Sequence, residues 1–210
     1  KKKLTEAREQ LKSFVNDMNV LKSGSSELKT YLEERVDVDL FLRAYAVNVA
    51  VGMWDDYWRN MNNYYFYFDN DKFIFIPFDY DNTLGTSLEM ENSGTQDPLA
   101  WGSLDGDRVL MRKVMSIPEY KARYVAYLKE LASNSEYFEY EGSLARIRGW
   151  HNMIGEYVSN DTGEDMAIED RPASWGNCHF YRLFSGNDQG GKNGEANFFK
   201  TKIRIINQLN

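Results

Sequence analysis

The chain has 210 residues, 42% hydrophobic and 27% charged, a composition that predicts a packed core and excludes a disordered chain. Its formal charge of −7 excludes nucleic acid as the main partner, since phosphate binding needs a basic face, and favours cationic protein partners by steering. The single cysteine, Cys178, cannot form an intrachain disulfide or, with only His151 and His179 beside it, complete a zinc set, and no apolar run is long enough to span a membrane.

Leu4, Ala7, Leu11, Phe14, Val15 and Met18 recur at helical spacing and predict a first helix ending near Gly24. Ser26 is the expected N-cap of a short second helix through Tyr31 and Leu32. A third helix starts at Asp37 or Asp39 and runs from Leu40 to about Gly52. It is apolar nearly all round, so it is expected to lie buried in the middle of the domain. The period then shortens. Tyr64–Phe68 and Phe73–Ile76 are aromatic and β-branched runs around Asp69-Asn70-Asp71, the pattern of a β-hairpin. Pro77 ends the second strand, Phe78–Gly85 reads as a polar turn, and residues 86–104 read as a long surface loop.

The second half returns to helical spacing. Val109–Met115 predicts a short helix, and Pro118 stands where the first turn of the next would begin. That helix carries Tyr120, Tyr124, Tyr127, Leu128 and Leu131, and a further one covers about Phe138–Val158. Residues 159–195 are rich in Gly, Asn and Asp, with little periodicity apart from Phe180–Phe184. Phe198, Phe199, Ile203, Ile206 and Leu209 predict a closing amphipathic helix. The expected fold class is α+β, mainly α, with one central β-hairpin in a single domain.

One stretch is chemically distinct. Trp54-Asp55-Asp56-Tyr57-Trp58-Arg59-Asn60-Met61-Asn62-Asn63 precedes the hairpin, and Asp79-Tyr80-Asp81 follows it. A hairpin brings its ends together, so Asn62, Asn63, Asp79 and Asp81 are expected to converge. Carboxylate and amide oxygens gathered in this way are hard ligands suited to Mg²⁺ or Mn²⁺. The order acid, amide, hairpin, acid is that of protein kinases, in which an Asp orients the attacking hydroxyl and an Asn and a second Asp hold the metals on ATP. Singly, such residues often only cap turns.

Part of the same stretch, Phe73 to Leu84, also resembles the first motif of haloacid dehalogenase-type phosphatases, with Asp79 as nucleophile and Asp81 two residues on. That fold needs repeated strand–helix units after the motif, whereas residues 105–158 read as helix on helix.

Several windows together resemble the CotH-type atypical protein kinases, the spore coat protein H family. Asp37-Val38-Asp39-Leu40-Phe41-Leu42, with Asn48 later in the helix, is similar to the segment before that family's catalytic loop. Trp54-Asp55 and Asn63-Tyr64-Tyr65-Phe66-Tyr67 are similar to its loop and first strand. Phe75-Ile76-Pro77-Phe78-Asp79-Tyr80-Asp81-Asn82-Thr83-Leu84-Gly85 is similar to its most specific motif, with Phe78 where Trp is usual. Pro118 to Tyr124 resembles the following helix, and Phe198 to Leu209, with Arg204, the terminal one, so the likeness spans about 28–210.

The resemblance implies transfer of the ATP γ-phosphoryl group to Ser or Thr of a secreted, cell-surface or spore-coat protein, on a kinase-like C-terminal lobe. By position, Asp55 is the implied catalytic acid, with Asp56 competing for that role. Asn63 and Asp79 are the implied metal and nucleotide ligands, and Asp81 a further metal partner. The family's β-rich N-terminal lobe and clamping Lys have no counterpart in this sequence, where Lys1 to Lys3 read as a solvated end. By itself the chain is therefore expected to fold, to bind Mg-ATP weakly and to be inactive. The alternative is a non-catalytic surface or coat scaffold on the same fold.

Overall fold

The computed structural model describes residues 2–84, 93–102, 108–134, 136–155 and 198–210. They form α1 (Lys2–Val20), α2 (Ser26–Arg35), α3 (Val38–Ala50), β1 (Tyr64–Asp69), β2 (Lys72–Pro77), α4 (Val109–Met115), α5 (Pro118–Ser133), α6 (Tyr140–Ile154) and α7 (Phe198–Asn207). Helices take 59% of these residues, against one two-stranded antiparallel sheet, so the fold is α+β and mainly α. The chain divides into two compact units, one from residues 1–49, 55–79 and 100–128, the other from 50–54, 80–99 and 129–210.

The first unit is built around the hairpin. Asn70 and Asp71 form its two-residue turn at φ 47° and 64°, the left-handed pair that a type I′ turn requires and that Asn and Asp tolerate. The turn sets the register Tyr64↔Pro77, Phe66↔Phe75 and Phe68↔Phe73. Alternation then puts Phe73 and Phe75 in the core, with Phe66 half-buried beside them. Phe14 of α1 stacks on Phe73 at 4.3 Å, and Phe41 of α3 meets Phe75 edge-on at 5.4 Å. Tyr45, Trp58 and Tyr124 continue this core through edge-on contacts at 5.9 and 6.3 Å. The high aromatic content therefore serves the interior first.

Local differences from the sequence pattern have simple causes. Ser25, not Ser26, caps α2: its Oγ accepts from the Leu28 N–H at 3.1 Å, leaving Ser26 as the first helical residue. α1 stops at Val20, short of Gly24. α3 buries most of its surface but exposes Leu40, Arg43 and Val47, which share one stripe at helical spacing. α6 begins at Tyr140 because the Glu139 carboxylate takes the N–H groups of Glu141 and Gly142 at 2.8 and 2.7 Å. The expected features at 86–92, 103–107 and 156–197, including most of the Gly- and Asn-rich segment, lie outside the described residues.

In the second unit Phe198 and Phe199 of α7 are buried, and Phe199 meets Phe138 edge-on at 5.5 Å. Gly52, at φ 73°, lies so near Phe198 that an added Cβ would come within 2.8 Å of its ring. Lys202 is fully buried, its Nζ donating to the Ser93 carbonyl at 2.6 Å. Burial pushes its pKa down to about 7.

Candidate functional site

The candidate site begins with two adjacent acids facing different surroundings. Asp56 is buried, and its Oδ1 accepts from the Arg59 N–H at 2.9 Å while Oδ2 accepts from Asn48 Nδ2 at 3.5 Å. Its carbonyl takes the N–H groups of Asn60 and Asn62 at 2.9 and 3.2 Å. Asp56 is thus the internal post around which residues 56–62 turn. Burial raises its pKa from 3.8 to about 7, outweighing the bonds from Arg59 and Asn48 that favour the ionised form.

Asp55 is partly exposed and serves a different set of donors. Its carboxylate accepts from Asn60 Nδ2 at 2.5 Å, Asn63 Nδ2 at 3.0 Å and, in a forked contact at 3.3 and 3.4 Å, Asn62 Nδ2. The three asparagines that stand out in the sequence therefore converge on one carboxylate. Met61 and Asn63 hold left-handed backbone at φ 56° and 53°. At Met61 that conformation costs about 1 kcal/mol or more, so the surrounding bonds must hold the loop in shape.

The hairpin carries the chain from Asn63 to Asp79. Beyond the Tyr64↔Pro77 pair, the Phe78 N–H donates to the Asn63 carbonyl at 3.0 Å, extending the ladder by one step. Asn63 is nearly buried, and its Nδ2 is committed to Asp55. Asp79 follows at φ 64°, exposed, with no hydrogen bond to its carboxylate among the described residues. Asp81, in the second unit, is exposed and accepts from Asn82 Nδ2 at 3.0 Å. Tyr65 and Phe78, both exposed, stack at 4.7 Å with planes 21° apart on the outer side of the ribbon.

Among the described residues no three His, Cys, Asp or Glu side chains gather as a metal cage. A magnesium site does not require one. Mg²⁺ keeps several waters and takes one or two protein oxygens plus phosphate oxygens, and the Asn63 amide oxygen and the Asp79 carboxylate fit that chemistry. The phosphatase reading fares worse. The strand before Asp79 is half of an antiparallel hairpin, whereas that fold requires it inside a parallel sheet.

Sequence reasoning missed Arg108, whose guanidinium reaches the carbonyls of Trp58 and Arg59. Its partners are backbone atoms and leave no motif. The available signal is an arginine standing just before a helix, where Ser, Asp or Asn would be usual.

The family model described as "CotH kinase protein" matches residues 1–188. The chain belongs to the CotH family. The CotH match takes in α1 and stops before α7, so it shares residues 28–188 with the extent the sequence motifs outline. Two Rhizopus delemar proteins are similar to the chain. "Invasin CotH7" is 27% identical over 153 residues, 71% of this chain and 24% of that protein. "Spore coat protein homolog 1" is 28% identical over 172 residues, 75% of this chain and 26% of that protein. The chain thus spans about a quarter of the length of these CotH relatives. No solved structure matches it.

Proposed function

We propose that this CotH chain is the metal- and acceptor-binding part of an atypical protein kinase that moves the ATP γ-phosphoryl group to Ser or Thr of a secreted or coat protein. The observation that supports the reading is the Phe78 N–H to Asn63 carbonyl bond at the open end of the hairpin. It sets Asp79, a carboxylate without a hydrogen bond among the described residues, one position beyond the partner of Asn63, itself bonded to the amide-held Asp55. Mg²⁺ bound there would neutralise charge on the phosphates. Asp55 would orient the acceptor hydroxyl as its oxygen bonds to the γ-phosphorus, the bond to the β-phosphate oxygen breaks, and the hydroxyl proton passes to the carboxylate. A carboxylate offers about four lone-pair sites. The forked Asn62 contact is the weakest of those used, and the one a substrate hydroxyl would displace. The stacked Tyr65–Phe78 pair supplies an exposed aromatic face one residue from Asp79, suited to a planar base.

In the full-length protein, Asp55→Asn is expected to lower turnover by roughly 10²- to 10³-fold. The KM for ATP should change less than turnover, because the side-chain oxygen of the variant can still accept from Asn63 Nδ2 and leave that residue in place. Radiolabel transfer measures both parameters, and wild-type turnover in the variant would sink the assignment. The names of the relatives, an invasin and a spore coat protein, favour a second reading as a surface or coat module without catalysis. Wild-type full-length protein that transfers no label to itself or to Ser- and Thr-bearing substrates would leave that reading standing.

A further inference from the structure

We infer that Arg108 is a positioning residue that fixes the Asp55–Asn63 loop from outside, as Asp56 fixes it from inside. This deepens the proposed function and rests on it for the consequence to turnover. Arg108 is the N-cap of α4, at φ −87° and ψ 54°, and its side chain makes no cap hydrogen bond. Arginine is a poor cap, so the helix start gains nothing from it. The side chain is turned toward the loop instead: Nε donates to the Trp58 carbonyl at 3.0 Å and Nη2 donates to the carbonyl of Arg59.

These are consecutive carbonyls of the turn whose N–H groups are spent on Asp56. The planar guanidinium fork can hold both at once, which the point charge of a lysine cannot do. Two further contacts come from Leu110 and Gly102. The Leu110 N–H donates to the Tyr57 hydroxyl at 3.2 Å. Gly102 lies so close to Trp58 that an added Cβ would come within 2.3 Å of its carbonyl oxygen. Gly102, Arg108 and Leu110 therefore meet 57–59 at three points, while the strained Met61 and Asn63 lie just beyond. Releasing the guanidinium frees the turn to relax toward ordinary dihedrals, and Asp55 moves with the asparagines that hold it.

The experiment has two arms. Amide hydrogen exchange on the chain without ligands should show the Asn60 and Asn62 N–H groups exchanging at least about ten-fold faster in Arg108→Ala, with the amides of Tyr124 and Leu128 unchanged. Arg108→Lys should fall between the two, and it replaces the alanine variant if α5 also loses protection. In the full-length protein, Arg108→Ala should lose on the order of 10²-fold in kcat, the signature of a misplaced group, with a smaller rise in the KM for ATP, since Asp79 lies outside the loop. Added guanidinium ion should recover part of that loss. Unchanged exchange at Asn60 and Asn62 would overturn the clamp, and a loosened loop with wild-type kcat would overturn its catalytic consequence. An inactive wild-type protein would instead reject the kinase reading, with the exchange arm still deciding the clamp.

Discussion

Asp79→Ala in the full-length protein is expected to slow phosphoryl transfer by about a thousand-fold or more, since a Lewis-acid metal supplies several kcal/mol and each 1.36 kcal/mol is tenfold in rate. Asp79 is well suited to such a test, because the fold does not depend on its carboxylate. The side chain is exposed and takes no hydrogen bond among the described residues. What the fold does require is a residue that tolerates φ 64°. Alanine meets that demand at a cost of about 1 kcal/mol, and asparagine at little cost. Asp79→Asn should therefore lose activity to a similar degree while melting like the wild type. Transfer at the wild-type rate by either variant, in a radiolabel assay, would exclude Asp79 as a metal ligand.

The second large effect concerns pH and Asp56. Its pKa is about 7 in the folded chain and near 3.8 when unfolded. Between those values the folded state binds the extra proton, so the contribution of Asp56 is fully present below about pH 4 and is lost as pH rises through about 7. The whole excursion is on the order of 4 kcal/mol. Asp56→Asn should flatten it and become more stable than wild type above neutrality, because an amide can still accept from the Arg59 N–H without carrying a buried charge. Asp56→Ala should be destabilised at every pH, since the loop then loses its internal post. Denaturant titrations from about pH 4 to 8 measure the slope, and an unchanged slope in Asp56→Asn would reject this account.

Much of this arrangement was legible in the residues. The change of period at Tyr64 and the Asn70-Asp71 pair announce the hairpin, because a two-residue turn of that chemistry leaves few alternatives. Pro118 marks the start of α5 for an equally local reason. The identity of the acids and amides at the two ends of the ribbon was also visible. Their division of labour was not. Asp55 and Asp56 are neighbours of one type, and only the packing of α3 against the loop makes one a buried post and the other an accessible carboxylate. The exposed stripe of α3 was hidden for a related cause: Leu40 and Val47 are apolar, and composition cannot tell an uncovered apolar face from a covered one.

Lys202 gives the buried carboxylate a counterpart of opposite sign in the second unit. Its pKa falls to about 7 in the folded chain against 10.5 for the free side chain, so its destabilising effect is full in acid and fades as pH climbs toward 10.5. Asp56 penalises the first unit in alkali, and Lys202 penalises the second in acid. Near neutrality the proton that unfolding strips from one group is matched by the proton it adds to the other, and net proton exchange with the buffer nearly cancels. Alkali thus weakens the chain through a carboxylate in the first unit and acid through an amine in the second.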